Sequence, residues 1–143
     1  MGRIPFEKLK ALEGQQIVDS PSAAGNWLKP TLVSVTPNKA VMKVEVQHDM
    51  CNPYGHIHGG MMSLVIDEAI GWAILAADLE LQYTSVSLNV DFLYAAPKGA
   101  LIYAHATVIR AGKKILNAEV HVYNAEQTLI AHATSNLVNT GMQ

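Results

Sequence analysis

Residues 52–69 read NPYGHIHGGMMSLVIDEA, a turn rich in Asn, Pro and Gly, then a Gly-Gly pair, then an apolar run with two adjacent carboxylates inside it. From Gly59 to about Ala77 there is no Pro, and Gly71 is the one glycine deep in the run. The spacing predicts a helix of roughly five turns, about 28 Å long. Apolar residues occupy nearly every face of it, so it should be wrapped by other structure rather than laid on a surface. Asp67 and Glu68 at its centre would be costly in lipid, which favours a buried helix of a soluble domain over a membrane span.

Strand patterns flank this helix. Before it, Ala40, Met42, Val44 and Val46 alternate with Val41, Lys43, Glu45 and Gln47 after the turn signal Pro37-Asn38, so residues 30–47 read as a hairpin. After it, YTSVSLNVDFLY, LIYAHATVIR, KILNAEVHVYN and TLIAHATSNLVN are separated by the turn-like segments AAPKGA, AGK and AEQ. These four runs are expected to form an antiparallel meander, giving an α+β domain of about six strands around one long helix. A single sheet does not easily cover an apolar helix on all sides, and a second subunit is expected to supply the rest.

The 143-residue chain, half of it hydrophobic, suits one domain over residues 1–143, with no repeat or linker to mark a second. A net charge of -2 with ten Lys plus Arg gives no broad basic field for nucleic acid or anionic membrane. Cys51 is the lone cysteine, which excludes an internal disulfide framework and agrees with a reducing, cytoplasmic setting. The opening MGRIPFEKLKALEG reads as a short surface helix without the features of a secretory signal. Phe6 stands where a myristoylation signal at Gly2 wants Ser or Thr.

Chemistry concentrates at the start of the long helix. Gly59 and Gly60 let backbone approach a ligand, and their N–H groups point along the positive end of the helix dipole. A tight loop-to-helix turn would use the same residues. Asp67 lies a little over two turns further in, on the face of Ser63, and its carboxylate is expected to be buried, held either for structure or at a site with a tuned pKa. Glu68 points about 100° away, so the two acids are no dyad. Asn52 before Pro is a natural turn cap that also carries an NH2 donor. His56 and His58 near Cys51 match no strong zinc spacing, and no metal is assigned to them. Arg110, Lys113 and Lys114 gather at one hairpin, as a solvated turn or as a grip for phosphates. Met50, Met61, Met62 and Ile66 suit either core or an adaptable apolar pocket.

Together NPYGHIHGGMMSLVIDEAIGWA and SVSLNVDFLYAAPKG resemble the hotdog-fold acyl-CoA thioesterases, in the phenylacetic-acid-degradation (PaaI-like) branch. The specific part is Asn-x-x-Gly-x-x-His-Gly-Gly, here Asn52, Gly55, His58, Gly59 and Gly60, with Asp67 nine residues after the His. The resemblance implies a curled antiparallel sheet around a central helix, and hydrolysis of an acyl- or aryl-CoA without a cofactor. It implies Asp67 as nucleophile or general base, and the Gly59 N–H and Asn52 side chain as carbonyl-polarising groups. His58 belongs to the catalytic run, and Ser85 falls where relatives hold the hydrolytic water, with Thr84 and Ser87 as neighbouring alternatives. Gly60, Met61 and Met62 would line the substrate site, and Arg110, Lys113 and Lys114 would meet the CoA phosphates. Tyr94-Ala95 departs from the Arg-Pro of many relatives and removes one phosphate contact. Sites shared between two subunits, in dimers or pairs of dimers, are implied as well. A hotdog hydratase or dehydratase and a non-catalytic acyl-CoA binding module are the rival readings.

Overall fold

β1 (Thr31–Thr36) and β2 (Lys39–Glu45) form the expected hairpin, turning at Asn38 with φ 67°, in the left-handed region that Asn tolerates. Ala40, Met42 and Val44 are buried, as the alternation requires. A short 3-10 turn at His48–Met50 then leads into the Gly-rich loop and α3 (Gly59–Ala76). The later strands are β3 (Leu81–Phe92), β4 (Leu101–Ala111), β5 (Ile115–Asn124) and β6 (Leu129–Met142). The computed structural model describes residues 4–142, so Gly2 lies outside the described residues.

All six strands make one antiparallel sheet in the order β1-β2-β4-β5-β6-β3. This corrects the expected four-strand meander, which holds only for β4, β5 and β6. β3 pairs with the far side of β6, and the inner edge of β4 is taken by β2, from Lys39 opposite Thr107 to Glu45 opposite Leu101. The connection from Leu93 to Ala100 is too long for a tight hairpin. It is tied instead to other segments, with the Leu93 N–H donating to Ile130 O (2.9 Å) and the Ile57 N–H to Ala96 O (2.8 Å).

One side of α3, with Met62, Val65, Ile66, Ala69, Ile70 and Ala73, is buried against β2, β4 and β5. By length and composition this helix would suffice to cross a membrane, yet here it is the axis of the core. The other side is not wrapped: Gly60 and Asp67 are exposed and Leu64, Gly71 and Ile74 only half-buried. The curled sheet therefore covers the helix from one side, leaving a strip along the other.

The N-terminal helix α1 (Phe6–Lys10) is present but docked, since Leu9 is 0% exposed and α1 packs on α3 and β1. A second short helix, α2 (Ala23–Leu28), was not legible in the sequence, because AAGNWL spans less than two turns and has Gly and Asn at its centre. Tertiary contacts hold it. Ser22 caps it by accepting the Gly25 N–H (3.1 Å) and donates to Glu68 Oε1 on α3 (2.5 Å). Ser22→Ala removes both bonds and is expected to lower stability by about 1–2 kcal/mol, read by chemical denaturation.

Candidate active site

The loop before α3 is fixed by its own backbone and by the segment after β3. The Asn52 N–H donates to His56 O (2.7 Å), the Gly55 N–H to Asn52 O (3.0 Å) and the His58 N–H to Met50 O (2.8 Å). Gly55 sits at φ 80°, which explains the glycine within the Asn-x-x-Gly turn. The Asn52 side chain joins in, because its Oδ1 accepts the N–H groups of Tyr54 (2.9 Å) and His56 (3.2 Å). With the oxygen so engaged, the amide NH2 is the end of Asn52 left for a ligand.

His58 is the N-cap of α3, its Nδ1 accepting the Gly60 N–H at 2.9 Å. In the neutral ring the proton then sits on Nε2. His58 thereby aligns the first turn of the helix, and among the described residues nothing accepts the Gly59 N–H. A Cβ on Gly59 would stand 3.3 Å from the Phe92 ring, a tight approach that favours glycine at this position. Asn52 and Gly59 both line a cavity of about 370 Å³ with Met62, Phe92 and Tyr94. Met61 packs half-buried against the core instead.

Asp67 is exposed in the chain, which corrects the expectation of a buried carboxylate: it falls on the uncovered strip of α3. Ser85 on β3 donates to its Oδ1 at 3.2 Å. β3 carries a bulge at this point, since Ser85 and Ser87 face the adjacent Leu137 and Asn136 of β6 and Val86 is the extra residue. The bulge separates Ser85, aimed at the acid, from Ser87, whose hydroxyl meets the Asn136 backbone N–H at 3.3 Å. Thr84 makes no bond to Asp67. Glu68 points elsewhere, to Ser22, as the 100° offset between the acids requires.

Two cavities open beside Asp67. One, of about 420 Å³, is lined by Gly60, Ser63, Leu64, Asp67 and Ser85; the other, of about 320 Å³, includes Asp67, Ile70, Trp72, Ile74, Tyr83 and Leu137. Neither contains Asn52 or Gly59, so within one chain Asp67 and Ser85 line cavities separate from the one that Asn52 and Gly59 line.

Arg110, Lys113 and Lys114 are exposed at the β4–β5 turn and line none of these cavities. The turn is nonetheless tied to the acid side. Tyr83, which lines the smaller cavity beside Asp67, donates its hydroxyl to Gly112 O (2.8 Å), and Asn139 donates Nδ2 to Lys113 O (2.9 Å).

The sequence profile of the Thioesterase superfamily matches residues 54–131, more than half of the chain and a stretch that includes Gly59, Asp67 and Ser85 but not Asn52. The chain belongs to the thioesterase superfamily. It is 29% identical over 96 residues to human acyl-coenzyme A thioesterase 13, covering 67% of this chain and 69% of that one. Zebrafish thioesterase superfamily member 2 superposes with a TM-score of 0.77 at 26% identity, over 93% of this chain and 94% of that one. The Escherichia coli PaaI protein of the phenylacetic acid degradation operon shares the fold, with a TM-score of 0.80 at 23% identity over 86% of this chain and 88% of that one. The curled six-stranded sheet around α3 is the hotdog fold implied by the sequence resemblance.

Proposed function

We propose that the protein is an acyl-CoA thioesterase that hydrolyses the thioester of an acyl- or aryl-CoA to free acid and CoA, at sites assembled from two copies of the chain. The observation that carries this is the pair of separated half-sites, each complete in its own chemistry. Membership of the thioesterase superfamily and the likeness to an acyl-coenzyme A thioesterase support the same reaction.

At the donor half-site, the Gly59 N–H and the Asn52 NH2 polarise the thioester carbonyl and stabilise the negative oxygen that develops on it, while His58 holds the helix turn in register. At the acid half-site, Asp67 attacks the acyl carbon or takes a proton from water that does so, and Ser85 orients the carboxylate. On the water route the water oxygen adds to the acyl carbon as Asp67 takes its proton; the tetrahedral oxyanion then collapses, the C–S bond breaks, and the proton passes to the leaving thiolate to give CoA and the free acid, whereas direct attack by Asp67 expels CoA first and leaves an anhydride that water then hydrolyses. The cavity walled by Ile70, Trp72, Ile74 and Leu137 offers the acyl or aryl group an apolar surface beside the acid.

Support for a second copy comes from the uncovered strip of α3 and from the edge strand β3. Val86, Phe92, Leu93 and Tyr94 are large apolar side chains 47–65% exposed along and just beyond that edge. Packing two copies through these surfaces would place the donors of one against the acid of the other. Dimers, or dimers of dimers, are the assemblies proposed.

A free-thiol assay over a panel of short, medium, branched and aryl acyl-CoAs tests the reaction. Thiol release supports hydrolysis, whereas a new double-bond absorbance or binding without turnover would require the reading to be abandoned. For the basic turn, neutralising Arg110, Lys113 and Lys114 is expected to raise KM for acyl-CoA by about tenfold and leave a short acyl-pantetheine substrate almost unchanged. Equal effects on both substrates would remove the cluster from phosphate binding.

A further inference from the structure

The face of the sheet away from α3 carries a group of side chains that thioester hydrolysis does not use. On β5, Leu116, Ala118, Val120 and Val122 are buried toward the core, so Glu119, His121 and Tyr123 project from the opposite face. His121 pairs with His105 of β4 on one side and with His132 of β6 on the other, and His132 pairs with Asp91 of β3. Three histidines and a carboxylate thus stand in one cross-strand row, with Glu119 two residues from His121 on the same face.

Within this row the contacts converge. Glu119 Oε1 lies 3.1 Å from His121 Nε2 and 3.1 Å from His132 Nε2, and the two imidazole centroids are 4.8 Å apart. Among the described residues this is the one group of three such side chains whose ligand atoms all lie within 4.8 Å of one another. Ligand atoms about 2.0–2.2 Å from a zinc ion stand roughly 2.9 Å apart in octahedral and 3.3 Å apart in tetrahedral coordination. Both Glu–His separations fall in that interval, and the two histidine ligand atoms lie within 4.8 Å of each other. Two imidazoles and one carboxylate also suit a borderline first-row cation rather than calcium or magnesium.

We infer that Glu119, His121 and His132 form a binding site for a zinc-class divalent cation on the outer face of the sheet. The ligands come from two paired strands, so the ion joins β5 to β6, with its remaining positions open to water. Asp91 supplies a further carboxylate on the same face.

The test uses the full chain, freed of metal with EDTA and then dialysed, titrated with zinc chloride by calorimetry. One zinc per chain with a micromolar Kd is expected, together with a zinc-dependent rise in Tm. His132→Gln and Glu119→Gln should each weaken binding by more than about 100-fold and abolish the rise, while thioester hydrolysis in EDTA stays unchanged. Nitrogen-15 spectra of the wild-type histidine rings provide a readout that needs no variant, since the His121 and His132 Nε2 signals should move on adding zinc. Millimolar binding, undisturbed His121 and His132 signals, or affinity lost in a Cys51→Ser, His56→Gln chain but kept in His132→Gln would overturn the inference.

Discussion

Asp67→Asn is expected to lower turnover by at least about 10²-fold with the fold intact, equivalent to about 2.7 kcal/mol of transition-state stabilisation. The substitution keeps the shape of the side chain and leaves an oxygen for the Ser85 hydroxyl, which lies 3.2 Å from Asp67 Oδ1 in the wild type. It removes the negative charge that either attacks the acyl carbon or accepts a proton from water. Because Asp67 is exposed on the open strip of α3, the loss of charge should leave the core undisturbed. Steady-state thiol release, alongside circular dichroism and Tm, checks both halves of the expectation. Near-normal turnover in a folded variant would remove Asp67 from the mechanism.

Mixing two inactive variants should restore activity. Asn52→Ala deletes a donor and is expected to cost roughly 10²-fold in turnover, comparable with the loss of a single oxyanion-hole contact. When it is dissociated and reassociated with Asp67→Asn, each mixed dimer places both lesions at one shared site and leaves the other site whole. Turnover per mixed dimer should then approach half that of the wild type. The expectation rests on the separation seen in one chain, where Asn52 and Gly59 line one cavity and Asp67 and Ser85 line another. Activity that stays at the level of the parents, with subunit exchange confirmed by mass or by a tag, would mean that both groups serve one site from the same chain.

The elements that set the architecture were legible where periodicity is strong. The helix from Gly59, the hairpin before it and the later strand runs appear within a few residues of their expected bounds. The pairing of β3 was not legible, because local turn signals between LNVDFLY and LIYAHAT resemble those of a hairpin and the partner of an edge strand is chosen by long-range contacts. The environment of Asp67 was misread for a related reason. An apolar count around α3 shows how much of the helix wants cover, but whether the same chain or a second copy supplies it depends on how far the sheet curls. Ser85 was distinguishable from Ser87 only through the bulge at Val86, which shifts the pairing by one residue and leaves no mark in composition. The row of His105, His121 and His132 was present in the sequence as outward positions on three strands, but it becomes a row only once the register is known.

The sheet order also has a kinetic side. β4, β5 and β6 are joined by short turns and can pair as soon as they are made, whereas β3 must find β6 with two intervening strands already in place, Leu81 opposite Met142 and Phe92 opposite Ala131. Such non-local pairing closes late in folding, because chain entropy is lost before the contacts that reward it are gained. Ser85 reaches Asp67, and Phe92 reaches Gly59, only through β3. β2, which pairs with β4 across the whole of α3, is the other strand joined at long range; with β3 among the late pairings and carrying Ser85 and Phe92 to Asp67 and Gly59, the return of turnover during refolding should trail the return of sheet signal.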